Sequence, residues 1–349
     1  MKKTILLLVV ISCLCCKQTA KDTSTVVQNE KAEVSRADFT MVFASCNDQN
    51  MEQPLWKPIL EHQPDLFVWG GDNVYADTED MEKMKSDYNM VRSNPEYQQL
   101  MANTTITGTW DDHDYGINDG GVEWEKKKEA QQLFLDFIDV PANDIRRNRE
   151  GVYTSEIYTT EEGSIKLLLL DTRYFRSGLK KSEVEGMRYE AWKESDGGTI
   201  LGEEQWNWLS LELAKDEADF TIIVSSIQFL NDKHGWEKWG NHPSEVTKMY
   251  EVLTAAKARN IFVLSGDRHM AEFSVKEVPA LGYPLVDFTT SGLTKTYPDT
   301  KLEANPFRKG RTVQELNFGL LQFDFKNKKV TMEIRGKDNI VFETLVQQY

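Results

Sequence analysis

Cysteine is scarce where a folded body would use it. The chain of 349 residues holds four cysteines, and Cys13, Cys15 and Cys16 sit together near its start. Only Cys46 is left for the remainder, so no disulfide framework can staple that part. A lone thiol in an oxidising compartment is a liability unless it is buried as a small apolar group or bound to a metal. Cations are also in short supply. Forty-one Lys and Arg against 56 Asp and Glu give a formal net charge of -15. A nucleic-acid interface through a basic face is therefore disfavoured, although an acidic chain can still hold phosphate where bound cations supply the positive charge. No apolar run reaches the ~18 residues that span a bilayer. What is present is 40% hydrophobic and 11% aromatic residues, enough for a sizeable core.

Near the start, Lys2 and Lys3 precede an apolar run from Ile5 to Ile11, then Ser12 and Cys13. A charged stretch, a short apolar stretch and a small residue before the cut read as an export signal. Val10-Ile11-Ser12-Cys13 resembles the bacterial lipobox, with Cys16 as a second candidate. The expected organisation is a signal peptide over 1–12, a lipid-anchored polar tether from Cys13 over 13–37, and one domain over 38–349. The chain would then be an exported bacterial lipoprotein, periplasmic or on the cell surface, meeting the membrane through its lipid alone.

Within 38–349, short apolar runs end abruptly in polar residues. Phe39 to Ala44 leads into Ser45-Cys46, Asp65 to Trp69 into Gly70-Gly71-Asp72, and Ile165 to Leu170 into Asp171. Phe220 to Val224 leads into Ser225-Ser226, and Ile261 to Leu264 into Ser265-Gly266-Asp267. Such runs predict buried central strands. Amphipathic stretches over 51–62, 81–101, 124–138, 203–214 and 243–258 predict helices between them, hence an α/β fold. Runs at 318–325, 329–334 and 339–347, separated by turn residues, predict a meander on the edge of a second sheet.

In α/β sheets, ligands bind beyond the carboxyl ends of strands. Those ends deliver Cys46, Asp72, Asp171 and Asp267, and Thr107 to Trp110 delivers Asp111, Asp112, His113 and Asp114 in the same way. One Asp after a strand is ordinarily a turn or a helix cap. Four or five together favour a carboxylate-rich metal cluster, because carboxylates cannot crowd together unpaired. Cys46 and Tyr75 are unusual ligands for Mg²⁺ or Ca²⁺, and a thiolate with a phenolate suits ferric iron or a softer transition metal. The plain alternative for Tyr75 is a packed aromatic. Asp112-x-Asp114 with Glu123 superficially matches an EF-hand loop, but Ile117 occupies the position that demands glycine. His113 is the candidate proton donor to a leaving oxygen, and His269 adds an imidazole beside Asp267. Arg173 is read either as a bidentate phosphate clamp or as a salt bridge to a neighbouring acid. His234 and His242 flank the Trp236–Trp239 stretch, which would wall a substrate pocket.

The fragments FASCND, WGGDNVYAD, GTWDDHDYGIND, LLLLDTRYFR, LGEEQWNWL, SSIQFL and LSGDRHMAEF, in this order over about residues 38–295, resemble the PhoD-like (alkaline phosphatase D) family of metallophosphoesterases. The resemblance implies a four-layer α/β/β/α sandwich with Fe³⁺ and Ca²⁺ at the strand ends. By matched motif, Cys46, Asp72 and Tyr75 would bind iron with Asp267 nearby, and Asp72 would bridge the metals. Asp112, His269 and Asn118 would be further ligands, His113 the catalytic histidine and Arg173 the phosphate contact. The larger members' N-terminal β-sandwich and C-terminal capping helix are not expected, which would leave a more open site. The expected activity is hydrolysis of phosphate monoesters or diesters by a metal-bound water or hydroxide, on a small-molecule, lipid or polymer substrate. The contrasting expectation is a non-enzymatic calcium-binding surface lipoprotein that holds glycans through Trp236 and Trp239.

Overall fold

The structure is a computed structural model that describes residues 37–298 and 301–349. The signal peptide, Cys13 and the tether up to Arg36 lie outside the described residues. In chain order the elements are β1 (Phe39–Ala44), α1 (Trp56–Glu61), β2 (Leu66–Gly70), α2 (Met81–Arg92), α3 (Pro95–Asn103), β3 (Thr105–Thr109), α4 (Asp112–Tyr115) and α5 (Lys127–Phe137). Then follow β4 (Thr154–Thr159), β5 (Ser164–Leu169), β6 (Lys180–Lys181), β7 (Tyr189–Glu190), α6 (Gly202–Leu213), β8 (Phe220–Val224), α7 (Pro243–Ala255) and β9 (Ile261–Ser265). The chain closes with β10 (Ala271–Glu277), β11 (Pro284–Thr290), β12 (Arg308–Val313), β13 (Phe318–Asp324), β14 (Lys329–Arg335) and β15 (Val341–Gln348).

Two mixed sheets face each other. One runs β15-β14-β13-β1-β2-β3 and the other β12-β10-β11-β9-β8-β5-β4, with β6 and β7 as a separate ribbon. The reason for two sheets is visible along single strands. In β1, Met41 and Phe43 join the core between the sheets, whereas Val42 and Ala44 join the core beneath the helices. In β5, Ile165, Leu167 and Leu169 point between the sheets while Leu168 points to the opposite core, with α6 and α7. A strand buried on both faces reads as a continuous apolar run rather than an alternating one. Three stacked cores thus make four layers: helices, sheet, sheet, helices.

The outer core of the first sheet is aromatic. Trp56, Phe67, Trp69, Tyr97 and Phe137 contact one another with ring centroids 5.0 to 6.1 Å apart. The Trp69 indole N–H donates to the Tyr97 hydroxyl at 3.0 Å, so the one polar atom of this large side chain is satisfied. The stretch 81–101 divides into α2 and α3 because Pro95 cannot continue a helix. Asp80 caps the first by accepting from the Glu82 and Lys83 N–H groups, and Asn94 caps the second from Glu96 and Tyr97.

The C-terminal meander corrects one expectation. β13 pairs antiparallel with β1, Phe39 opposite Phe323 and Phe43 opposite Gly319. The meander therefore extends the sheet of β1–β3 and not the other one. Its inward residues Leu321, Phe323, Val330, Met332 and Ile334 complete the core between the sheets, and β1, parallel to β2 on one side, needs a partner on the other. Among the described residues no helix is long and apolar enough to cross a membrane.

Candidate metal centre

The polar residues after β1, β2, β3 and β9 meet where strand ends of the two sheets approach each other closely. Gly266 marks the closeness: a Cβ there would lie 2.6 Å from Ser45 Oγ and 2.9 Å from the Gly70 carbonyl. Only glycine permits that approach. The chain then turns sharply at each strand end. Cys46 (φ 59°), Asp72 (φ 51°), Asp267 (φ 66°) and His269 (φ 52°) all occupy the left-handed region. Such a backbone costs non-glycine residues on the order of 1–3 kcal/mol each, and it persists where the surroundings hold side chains for a purpose.

The turns bring three sets of ligand-type atoms within 4.8 Å of one another: Cys46, Asp72 and His269; Asp72, Asp112 and His113; and Asp111, Asp112 and Asp267. Asp72 and Asp112 each belong to two sets, so the sets are contiguous. Cys46 Sγ lies 3.5 Å from Asp72 Oδ2, and the Tyr75 hydroxyl lies 3.4 Å from the same oxygen. His269 presents Nε2 at 3.3 Å from the Tyr75 hydroxyl, while its Nδ1 faces the Lys295 carbonyl at 3.0 Å. A carbonyl accepting from Nδ1 leaves Nε2 as the lone-pair nitrogen, the usual orientation of a ligand histidine. The Cys46, Asp72, Tyr75, Asp112, His113, Asp267 and His269 named from sequence are thereby gathered in one place.

The electrostatics of this cluster fit cations. Burial, then the Asp72 and Asp267 carboxylates, push the Cys46 thiol well above its usual range. Burial raises Asp72 strongly, and it lifts Asp267 to about 7. Burial and the neighbouring Cys46 and Asp72 raise Tyr75 as well. These acids resist ionising together, and a multivalent cation removes that resistance. Two carboxylate oxygens, Asp111 Oδ2 and Asp112 Oδ1, are buried without a hydrogen-bond partner in the protein. Buried acceptors are rarely left so, and both residues belong to the third set. The donor types fit the sequence reading: a soft thiolate and a phenolate on one side, carboxylates on the other.

His113 faces the same acids. Burial alone would lower its pKa, but Asp72, Asp112 and Asp77 outweigh it and raise it to about 11. Asp77 Oδ2 holds Nδ1 at 2.7 Å, and the ring packs on Tyr75 with centroids 4.1 Å apart. Asp77 was not singled out from sequence. It lies five residues beyond Asp72, and its role appears only when the two loops meet. Asp111 and Asp114 were visible in the run Asp111–Asp114, but their parts were not. Asp111 contributes to the third ligand set, whereas Asp114 accepts from the backbone N–H groups of Asp72, Asn73 and Asp111. It is the clamp that fixes the two loops together.

The other residues named from sequence are placed differently. Arg173 is fully buried and pairs with Asp111 at 2.5 Å and Glu237 at 2.6 Å. Glu237 in turn pairs with Arg176 at 2.8 Å. Of the two sequence readings of Arg173 the structure shows the ion pair: the guanidinium is committed to two buried carboxylates and supports Asp111. Asp171 ends its strand as a turn cap, accepting from the Val152, Arg173 and Tyr174 N–H groups at 2.9 Å. Asn118 is exposed, its amide bonded to Asp119 at 2.6 Å. Trp236 is 45% exposed with its indole N–H on Glu303 at 2.6 Å. Trp239 by contrast is buried and bonded to Ser225, and offers no binding face.

Two facing mixed sheets flanked by helices, with acids and a thiol gathered at the strand ends, define a sandwich of the metallophosphoesterase type. Solved structures of that type share the fold. "Structure of PhoD" superposes with a TM-score of 0.68 at 16% identity, covering 89% of this chain and 68% of that one. A dimetal phosphatase from Danio rerio superposes at 0.53 with 13% identity, covering 90% and 99%. GAP50, the anchor in the inner membrane complex of Plasmodium, superposes at 0.55 with 12% identity, covering 89% and 88%. The chain belongs to the PhoD-like phosphatase family, whose model matches residues 41–334. Alkaline phosphatase D of Bacillus subtilis (strain 168) is 19% identical over an alignment of 271 positions that covers 66% of this chain and 46% of that protein. The chain thus spans about half the length of this curated relative.

Proposed function

We propose that the chain is a metal-dependent phosphoesterase that hydrolyses phosphate monoesters or diesters. The observation that carries this reading is the contiguity of the three ligand sets around Asp72 and Asp112, in a chain of the PhoD-like phosphatase family. Cys46, Asp72, Tyr75 and His269 would hold a ferric ion, and Asp72, Asp111, Asp112 and Asp267 would hold calcium or another divalent cation. Bound cations there would polarise a phosphoryl oxygen and lower the pKa of a water. The residues supply the rest. Asp77 accepts from His113 Nδ1, which leaves Nε2 to hand a proton to the departing alkoxide. Asp114 keeps the β2 and β3 loops in register, and Arg173 orients Asp111.

Elemental analysis beside turnover of 4-nitrophenyl phosphate and bis(4-nitrophenyl) phosphate tests the reading. Metal and activity should be lost together on chelation and return together on readdition. A metal-replete protein that turns over neither ester would overturn it. The anchor belongs to the same reading: an exported lipoprotein held by Cys13 would bring the site to a membrane surface, periplasmic or extracellular. Cys13→Ala should move the protein from the membrane to the soluble fraction, and unchanged membrane retention would refute the anchor alone.

A further inference from the structure

The chain is acidic overall, yet one side of the metal cluster is cationic. Arg268 follows Asp267 directly, and its Nη1 stands 4.0 Å from Asp267 Oδ2. Its side chain is 9% exposed, and its buried Nε has no partner in the protein. Glu303 holds the other end of the guanidinium at 2.6 Å. The same carboxylate receives the Trp236 indole N–H at 2.6 Å, and the guanidinium carbon lies 5.9 Å from the Trp236 ring centre. Lys238, 4% exposed, donates to the Trp236 carbonyl at 3.1 Å. His234 Nδ1 accepts from the Trp236 N–H at 3.3 Å, while its buried Nε2 has no partner in the protein.

This arrangement is costly unless something else binds. Burial, and then the Arg268 charge, depress Lys238 to about 8. The same two causes hold His234 well below its usual value. Glu303 matches part of this charge, and Asp232 and Glu237 also face Lys238; the buried Arg268 Nε and His234 Nε2 remain without a partner in the protein, a surrounding that an anion relieves. Trp236 lies beside them with nearly half its surface open and its ring fixed at one edge. An exposed indole anchored by a carboxylate is a flat, rigid face that loses little entropy when something stacks on it.

We propose that Arg268 and Trp236, both positioned by Glu303, form the substrate-recognition platform of this site. Arg268 receives the phosphoryl oxygens of the ester and Trp236 stacks against a planar organic group on the same phosphorus. The inference rests on the phosphoesterase reading and narrows it to esters with a flat or aromatic alcohol part. It also places a phosphate contact at Arg268, whereas Arg173 is paired with Asp111 and Glu237.

Calorimetric titration of the metal-loaded full chain with inorganic phosphate reads the platform without turnover. Arg268→Gln should weaken phosphate binding about tenfold or more, the loss of a charge-assisted bidentate contact. The KM for 4-nitrophenyl phosphate should rise by a similar factor with metal content unchanged. Arg268→Lys keeps the charge but loses the fork, and should fall between. Glu303→Gln frees both partners; it should weaken phosphate less and narrow the preference for 4-nitrophenyl over glycerol phosphate. Phosphate binding at the wild-type constant in both Arg268 variants would overturn the proposal, even in an active enzyme. Conversely, a wild type that binds phosphate through Arg268 but hydrolyses no ester would remove the phosphoesterase reading and leave the platform standing.

Discussion

β2 and β5 end alike in sequence and unlike in space. Each is an apolar run that stops at an aspartate, Asp72 in one case and Asp171 in the other. Asp171 accepts three backbone N–H groups and lies across its turn as a cap. Asp72 has a left-handed backbone and faces Cys46 and Tyr75 instead. The difference is one of matched and unmatched charge. Around Asp171 the chain supplies the donors itself, so the carboxylate is complete. Around Asp72 it supplies the His113 N–H at 3.3 Å but otherwise further acids, the Cys46 thiol and Tyr75 hydroxyl, which can ionise together with it only beside a cation. Arg173, Glu237 and Arg176 repeat the lesson a few ångströms away, since cations and acids there are paired within the chain.

The sharpest way to break this comparison is to neutralise both aspartates. Asp72→Asn should cut ester turnover by about a thousandfold or more and reduce bound metal, because it removes a shared ligand. It should leave the metal-stripped protein as stable as before or more so, since one of several crowded acids is gone. Asp171→Asn should do the opposite: metal content stays, and stability falls by about 1–3 kcal/mol as backbone donors lose their acceptor. Denaturant unfolding with metal analysis separates the two. Equal loss of metal in both variants would mean that the two strand ends do not differ as described.

The same contrast explains what was legible in the sequence. Central strands were readable because burial on both faces removes polar alternation, and the ligands because each follows such a run. The partner of the meander was not readable. Phe318 to Asp324 has the same apolar character whichever sheet it joins, and only the open side of β1 decides. Asp171 and Arg173 misled for a related reason: LDTRYFR has the form of a ligand-bearing strand end. Whether an acid is capped or bare, and whether a guanidinium is free or paired, depends on partners from elsewhere: here the Val152 N–H for Asp171 and the Glu237 carboxylate for Arg173. Asp77 was silent because its partner, His113, is distant in sequence. The left-handed backbone at Cys46, Asp72, Asp267 and His269 carries no local signal beyond the flanking glycines Gly71 and Gly266.

Protons can stand in for cations at an unmatched cluster, and that gives the smallest but most diagnostic effect. Burial raises Asp114 and Asp267 to about 7, and His113 reaches about 11 through Asp72, Asp112 and Asp77 against the pull of burial. All three are raised above their unfolded values, so the folded chain binds more protons than the unfolded chain. Their stabilisation is therefore greatest at low pH and is lost as pH rises through the folded values. Below about pH 6.5 His62, His234, His242 and His269, all lowered mainly by burial, pull the other way. Above about 8, Lys238, depressed to about 8, does so too. Between those limits the chelator-stripped protein should lose on the order of 1–2 kcal/mol as pH rises, a fall in Tm of a few degrees for a chain of about this size. The metal-loaded protein should show a smaller fall, because cations keep its carboxylates ionised and offset the negative charge that raises His113, and its affinity for them grows with pH. Differential scanning calorimetry of both forms from pH 6.5 to 8 reads the two slopes. Identical slopes would mean that the acids at the ends of β2, β3 and β9 are as internally matched as Asp171.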